Sequence, residues 1–132
     1  LKSYKKVKIL EENLKKMNEY AAPESGISVF GVYPEGIAHA GAIATYLSVL
    51  GRDVTVHTYR IGGRFGKKDV EGRKVLVVKE SSMTDGTRQI GEAAREASRK
   101  KYIEPDDFRL LFVDTFNMLT TEEILSSFES IP

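Results

Sequence analysis

The sequence predicts an α/β fold, in which a mostly parallel central sheet is flanked by helices on both faces. Two observations support this prediction. Strand patterns and helical patterns alternate along the chain, and the clearest strand patterns are apolar runs without solvent-facing alternation. The chain has 132 residues, of which 41% are hydrophobic and 30% charged, so we expect one globular domain spanning residues 1–132.

The elements follow one another in the order α-β-α-β-loop-β-α-β-α. Helices are predicted over residues 3–20, 37–50, 88–101 and 120–128, and strands over residues 27–33, 53–59, 75–78 and 109–114. The first helix repeats apolar residues at spacings of three and four, and Thr120 opens a capping box for the last helix. In sheets of this kind ligands bind beyond the carboxyl ends of the strands, where the strand-to-helix loops open.

Composition excludes several classes of function. The formal net charge of +1 gives no large field, so nucleic acid and anionic membranes are not favoured as partners. The chain has no cysteine and hence no disulfide framework, thiolate nucleophile or cysteine metal site. No apolar run approaches the roughly 20 residues that span a bilayer, and no signal-peptide pattern is present. We therefore expect a cytoplasmic protein.

The stretch Val75–Thr87, VLVVKESSMTDGT, is the strongest candidate for a ligand site. A buried strand leads through a small polar loop into a helix, and the free N–H groups at a helix N-terminus attract anions. Thr84 and Thr87 add hydroxyl donors, and Gly86 lets the backbone approach a ligand closely. Neither common phosphate-binding pattern, GxxxxGK[ST] or GxGxxG, is present.

This stretch resembles the 5-phosphoribosyl-1-diphosphate (PRPP) motif of the type I phosphoribosyltransferases. That motif has four apolar residues, two acidic residues, two mostly apolar residues and a Thr-Thr-Gly-Gly-Thr-like loop. The residues that match are Glu80, Thr84, Gly86 and Thr87. The residues that depart are Lys79 at the first acidic position, Met83 at the first Thr and Asp85 at the first Gly. The resemblance implies a phosphate-binding loop of Met83, Thr84, Asp85, Gly86 and Thr87, with Lys79 and Glu80 at the catalytic positions.

Two more segments extend the resemblance over roughly residues 27–114, which is most of the chain. Residues 29–47 are similar to the family's first-strand segment, which implies a pyrophosphate-binding loop of Tyr33, Pro34, Glu35 and Gly36. The basic loop of residues 60–73 is placed like the mobile lid of orotate-type members, which implies lid residues Arg60, Arg64, Lys67 and Lys68. The alternative for this loop is a solvated surface segment.

The resemblance implies transfer of phosphoribosyl from PRPP to a nucleobase with release of pyrophosphate, Mg²⁺ bound through PRPP, and a homodimer. Phe116 and Asn117 are the candidates for contact with the base, against an alternative role in chain-end packing. Another function is a catalytically impaired module that senses PRPP or a nucleotide, which the loss of the first acid favours. A third is an α/β domain that binds a different phosphate ester.

The departures from the motif suggest a hypothesis of mutual compensation. Lys79 brings positive charge to a site that develops positive charge during transfer, and Asp85 brings negative charge to a phosphate loop. We expect the two side chains to pair across the loop, which would cancel both departures. His39 and His57 have no partner at metal-ligand spacing and are predicted to be structural or surface residues, and Asp106 and Asp107 are predicted to lie in a turn.

Overall fold

The fold is known from a computed structural model that describes residues 11–12, 15–20, 24–82 and 85–129. Its strands are β1 Gly26–Val32, β2 Val54–Tyr59, β3 Arg73–Lys79, β4 Phe108–Phe112 and β5 Asn117–Leu119. Its helices are α1 Gly36–Val49, α2 Lys67–Val70, α3 Thr87–Arg99 and α4 Thr121–Glu129, with a 3-10 turn over Pro105–Asp107. Residues 11–12 and 15–20 are also helical, and the rest of the predicted first helix lies outside the described residues.

The five strands form one sheet in the order β2-β1-β3-β4-β5. Strands β1 to β4 run parallel, and β5 pairs antiparallel with β4. The prediction of an α/β fold with a mostly parallel sheet is therefore confirmed. The chain leaves β1 toward β2 on one side and later places β3 on the other side, so a switch point lies between the carboxyl ends of β1 and β3.

The central strand β3 divides the apolar core into two clusters, because successive side chains of a strand point to opposite faces. Val75 and Val77 belong to one cluster, and Leu76 and Val78 belong to the other. The first cluster includes Ile90, Ala94 and Ala97 of α3 and Ile124 of α4. The second includes Ala40, Ile43, Ala44 and Leu47 of α1. All four β3 side chains are fully buried, as the unbroken apolar run predicted.

The structure corrects the prediction in two segments. Residues 60–73 are not one loop, because they include the single-turn helix α2 and the first residue of β3. Phe65 anchors this segment by stacking on Tyr59, with ring centroids 4.9 Å apart, and by edge contacts with Phe30 and Phe108. The second correction is β5, a three-residue strand that the sequence pattern did not predict.

Predictions for the polar turns and caps are confirmed. Asp106 and Asp107 lie in the 3-10 turn before β4, where Asp107 pairs with Lys74 at 2.8 Å. The capping box before α4 forms, since Thr120 and Glu123 exchange hydrogen bonds between side chains and backbone N–H groups. None of the helices in the described part of the chain has the length and apolar character that a membrane crossing requires.

Candidate functional site

Three loops meet at the carboxyl edge of the sheet, one after each of β1, β2 and β3. The Tyr33 N–H donates to the Tyr59 carbonyl at 2.8 Å, which joins the first loop to the end of β2. The Arg60 guanidinium lies over the Tyr33 ring at 3.9 Å from its centroid. Ile61 packs so closely on Gly86 that a Cβ added there would lie 2.6 Å from the Ile61 side chain. The second loop therefore contacts both of the others.

The loop after β1 contains the predicted pyrophosphate-binding residues. The Tyr33–Pro34 peptide bond is cis, and Tyr33, Pro34 and Glu35 are exposed. Gly36 is buried as the first residue of α1, and a Cβ there would overlap the Val78 carbonyl oxygen. Glu35 makes no side-chain cap to α1. The first N–H groups of α1 thus open toward the same edge as the loop.

The loop after β3 contains the predicted phosphate-binding residues. Asp85 is exposed, and Gly86 is buried with a φ of 106° at the start of α3, a backbone conformation that favours glycine. Within the described part of the chain no side chain makes a capping hydrogen bond to this helix. The Thr87 hydroxyl is buried and has no hydrogen-bond partner among the described residues. Met83 and Thr84 lie outside the described residues.

Asp114, which follows β4, holds the start of the loop after β3. Its carboxylate accepts hydrogen bonds from the Ser82 N–H at 3.0 Å, the Ser82 hydroxyl at 3.1 Å and the Ser81 hydroxyl at 3.3 Å. Desolvation alone would raise the pKa of Asp114, but these hydrogen bonds and one from the Thr115 N–H lower it below its ordinary value. The sequence signal for this role was available, because Asp114 is the first acidic residue after a buried strand that runs parallel to β3.

Lys79 is the last residue of β3 and is only 3% exposed. Its ammonium donates a hydrogen bond to the Ser81 carbonyl. Desolvation lowers the pKa of Lys79, whereas the negative charges of Asp114, Asp85 and Glu35 oppose that shift. The pairing of Lys79 with Asp85 expected from the sequence therefore stays a prediction, because the charge of Asp85 acts on the pKa of Lys79 together with those of Asp114 and Glu35.

Glu80 lies on the opposite side of the strand from Lys79, near α1. Its carboxylate is 3.7 Å from His39 Nε2, and its side chain is 49% exposed. His39 therefore has a partner at the candidate site, which the sequence did not predict. His57 stacks on Phe30 with centroids 4.6 Å apart and lies 3.9 Å from the Asp69 carboxylate, in keeping with the structural role predicted for it.

The structure separates the predicted lid residues into two groups. Arg60 and Arg64 are exposed on the loop that contacts the other two loops. Lys67 and Lys68 lie on α2, whose Asp69 carbonyl accepts a hydrogen bond from the Ser28 hydroxyl near the start of β1. The structure therefore does not bring Lys67 and Lys68 to the carboxyl edge, because the chain is already returning toward the start of β3.

The predicted base-contacting residues lie in the turn between β4 and β5. Phe116 is half-buried with a φ of 56°, and Asn117 is exposed as the first residue of β5. An apolar cavity of about 120 Å³ is lined by Met17, His39, Ala42, Ile43, Leu111, Val113 and Phe116. Phe116 thus lines the same cavity as His39, the partner of Glu80, whereas Asn117 is not among the residues that line it.

The residues of the site fit a bound Mg²⁺ poorly. Mg²⁺ takes oxygen ligands in regular octahedral geometry and is usually held by one or two carboxylates together with substrate phosphates. Here the buried ammonium of Lys79 lies at the end of β3 and would repel a cation bound nearby. Within residues 11–12, 15–20, 24–82 and 85–129, no three His, Asp or Glu side chains form a group that could hold a metal ion.

No protein-family model matches this chain, and no curated protein matches it significantly. The α/β fold and the geometry at the carboxyl edge are therefore what bear on its function.

Proposed function

We propose that this chain is a phosphoribosyltransferase-like binding module that takes PRPP or a phosphoribosyl nucleotide at the carboxyl edge of β1 and β3. The observation that carries the proposal is the meeting of three loops at this edge, shown by the contacts of Arg60 with Tyr33 and of Ile61 with Gly86. Open α/β sheets bind ligands at such switch points. The PRPP-like motif gives the ligand class.

The start of α3 is the proposed site for the phosphate. Among the described residues no side chain caps its first N–H groups, and Gly86 adds no side chain of its own there. The Thr87 hydroxyl is buried without a partner among the described residues, and such a group costs free energy until a ligand accepts from it. A phosphate oxygen at this position would accept that hydrogen bond.

The remaining parts of the ligand would bind along the same edge. A diphosphate would lie at the exposed loop of Tyr33, Pro34 and Glu35, within reach of the Arg60 guanidinium. The exposed Glu80 carboxylate would accept a hydrogen bond from a ribose hydroxyl. The side chain of Lys79 cannot accept one, because an ammonium has donors only.

Lys79 favours binding over transfer. Displacement of pyrophosphate from C1 of PRPP develops positive charge on the ribose, which negative groups of the enzyme stabilise. A buried ammonium at the end of β3 works against that stabilisation, even though the charges of Asp114, Asp85 and Glu35 act on it. We therefore place the sensing function ahead of catalysis.

A second candidate function is transfer of phosphoribosyl to a nucleobase of the orotate type. In this reaction a ring nitrogen forms a bond to C1 as the bond from C1 to the pyrophosphate oxygen breaks. The position of Arg60 over Tyr33 favours it, because a cation beside the pyrophosphate loop would neutralise the leaving group. A homodimer remains a proposal from the same resemblance, and a cytoplasmic location remains a proposal from the sequence pattern.

Calorimetric titration with PRPP, a nucleoside monophosphate, ribose 5-phosphate and inorganic phosphate tests the binding function. Thr87→Val keeps the shape of the side chain and removes its hydroxyl, so we expect binding of the monophosphate to weaken about tenfold. Thr45→Val is the matched control, since the Thr45 hydroxyl is exposed and bonds within α1. Absence of binding of all four compounds would show the proposal to be wrong.

Pyrophosphate release tests the second candidate. The chain is incubated with PRPP and with orotate, uracil or a purine base, and pyrophosphate is measured over time. Base-dependent release that Glu80→Gln abolishes would move the transferase ahead of the binding module. Binding of PRPP without release would keep the binding module in place.

A further inference from the structure

Strand β2 forms one edge of the sheet, and half of its backbone groups face away from β1. Its odd-numbered residues bond to β1, as the Tyr59 carbonyl does to the Tyr33 N–H at 2.8 Å. Because successive residues of a strand direct their N–H and C=O groups to opposite sides, those of Val54, Val56 and Thr58 point outward. Among the described residues, no other strand pairs with this side of β2. The edge therefore offers three donors and three acceptors to a further strand.

The edge formed by β2 carries none of the features that usually prevent strand pairing, which are short length, charge, proline and bulges. Its six residues, VTVHTY, include no charged residue and no proline, and their register with β1 is unbroken. Val56 at its centre is 51% exposed. The flanking charges are engaged within the chain, since Asp53 pairs with Arg73 at 2.9 Å and Arg60 lies over Tyr33. The opposite edge strand, β5, has only three residues.

The helix beside this edge also lacks charge. Val54 packs against the cluster that contains α1 side chains, so Val56 lies on the face of the sheet that α1 covers. The 14 residues of α1 and the six of β2 include no Asp, Glu, Lys or Arg, although 30% of the chain is charged and Ile37 of α1 is 39% exposed. Helix α3 on the other face carries five charged residues, namely Arg88, Glu92, Arg95, Glu96 and Arg99. Depletion of charge marks the centre of a protein interface, so the surface of α1 and β2 suits a protein partner.

A second copy of this chain offers an edge that is complementary to this one. In an antiparallel pair related by a twofold axis, Val56 lies opposite Val56 of the second copy, and Val54 lies opposite its Thr58. All three outward residues then exchange hydrogen bonds with the residues opposite them, about six bonds in the pair. Only valine and threonine side chains meet on the α1 face, and no like charges are brought together within the strands.

We propose that β2 pairs antiparallel with β2 of a second copy, with Val56 opposite Val56, so that one sheet runs through both copies. Each copy contributes the same edge, so the assembly closes as a dimer. The sequence resemblance implied a homodimer without naming a surface. The inference rests on the edge of the sheet and not on the proposed ligand, and either can fail without the other.

Sedimentation velocity of the unsubstituted chain tests the dimer. A strand-edge interface belongs to the small class, for which we expect a dissociation constant of about 10 to 100 µM. The chain should therefore change from monomer to dimer between about 1 µM and about 1 mM. A chain that is still monomeric at about 1 mM would overturn the inference and would leave this edge to a strand of another protein.

Val56→Lys and Val56→Glu test the register. Because Val56 is half exposed, both variants should keep the fold, which circular dichroism checks. Each variant alone places two like charges opposite each other, so its dimer should be weaker by about tenfold or more. An equimolar mixture of the two should recover the dimer, because in this register position 56 faces position 56 of the other copy. If the mixture stays as monomeric as the separate variants, the inference is wrong.

The other edge strand provides the matched control. Asn117 is exposed at the start of β5, and Asn117→Lys and Asn117→Glu should dimerise like the unsubstituted chain. A dimer that Asn117→Lys weakens and Val56→Lys leaves unchanged would contradict the inference, because the copies would then meet through β5.

Hydrogen exchange gives a readout that needs no variant. Between monomer and dimer concentrations, the amides of Val54, Val56 and Thr58 should gain about tenfold protection or more. The amides of Thr55 and His57, which bond to β1 in both states, should change little. A dimer whose outward amides stay unprotected would be formed through another surface, and the proposed pairing of β2 would be excluded.

Discussion

The two ends of strand β3 carry cationic side chains in different surroundings. At the amino end, Arg73 donates to the Ser28 hydroxyl at 2.8 Å, the Asp53 carboxylate at 2.9 Å and the Ile27 carbonyl at 3.0 Å. At the carboxyl end, the Lys79 ammonium is more deeply buried, and desolvation lowers its pKa. The amino end of β3 is fixed by several hydrogen bonds from one guanidinium, whereas the carboxyl end holds a buried ammonium whose desolvation is unfavourable.

This difference suggests that the amino end of β3 stabilises the fold and that its carboxyl end belongs to the binding site. The Arg73 fork joins β1, β2 and β3 and leaves the Ser28 hydroxyl, which is fully buried, with several partners. At the carboxyl edge, no described residue is a hydrogen-bond partner of the Thr87 hydroxyl, and none makes a side-chain cap to α1 or α3. Unsatisfied donors beside a buried charge are typical of binding sites rather than of structural closures.

The substitution with the largest expected effect on stability is at the amino end of β3. Arg73→Ala leaves Ser28, Ile27 and Asp53 without their shared donor, and we expect a loss of about 3 kcal/mol in the free energy of unfolding. Arg73→Lys should recover little, because a single ammonium cannot replace the planar fork. Urea unfolding measures both variants, and ligand affinity at a temperature where they stay folded should be unchanged. If Arg73→Ala were stable but no longer bound the ligand, the amino end of β3 would have the binding role and not the structural one.

The next largest effect is at the carboxyl edge, where Gly86 is required both for its backbone conformation and for its close contact with Ile61. A side chain there must adopt a φ of 106° and would contact Ile61 at 2.6 Å. Gly86→Ala should lose about 2 kcal/mol of stability, from the backbone conformation and from the contact. Ile61→Ala in the same chain should recover the contact part only. Full recovery by Ile61→Ala would mean that the backbone conformation costs nothing.

Much of the fold followed from the sequence because its strongest signals are local. The apolar run Val75–Val78 could be satisfied only by a strand buried on both faces, and its structure agrees. Strand β5 has three residues and helix α2 has four, which is too short for any periodicity to appear. Phe65 and Val70 anchor the segment after β2 through contacts distant in sequence, which no local pattern contains.

The position of a site residue could be predicted where the residue lies in a short loop between a strand and a helix. It was harder to predict for the longer basic loop, whose path depends on several elements. Glu80 comes directly after β3 and Gly86 directly before α3, and their place at the carboxyl edge follows from the direction of the strand. The basic loop was different, because β2 and β3 are parallel and the chain must return along the sheet between them. That return carries Lys67 away from the edge and leaves Arg60 there, and composition alone does not distinguish the two residues.

Arg60 and Lys67 test this division of the basic loop. Arg60→Ala removes the cation over Tyr33, and we expect PRPP binding to weaken about tenfold with little change in stability. Lys67→Ala is the matched control, because it removes an equal charge that pairs with Glu71 at 3.5 Å. Its affinity for PRPP should stay within about twofold of the unsubstituted chain. Equal losses in the two variants would mean that the whole loop acts as a lid, as the sequence resemblance implied.

The smallest expected effect is the pH dependence of stability that comes from Asp114, whose carboxylate joins the end of β4 to the loop after β3. Hydrogen bonds from Ser82 and Ser81 lower its pKa in the folded state below the ordinary value of 3.8, although desolvation acts the other way. A lowered folded pKa stabilises the fold fully above the unfolded value, and that contribution is lost as pH falls through the folded value. The stability lost in Asp114→Asn should therefore be constant from about pH 7 to about pH 5 and shrink below about pH 4.

Urea unfolding at each pH measures this loss, and Ser82→Ala sharpens the test. Because Ser82→Ala removes one donor to the carboxylate, Asp114→Asn is made both in the unsubstituted chain and in the Ser82→Ala background. The stability lost on Asp114→Asn should be smaller in the Ser82→Ala background at neutral pH. If the stability lost on Asp114→Asn instead grows as pH falls below about 4, the fold favours the protonated form of the carboxyl group. The start of the loop after β3 would then be held by a neutral acid instead of a carboxylate.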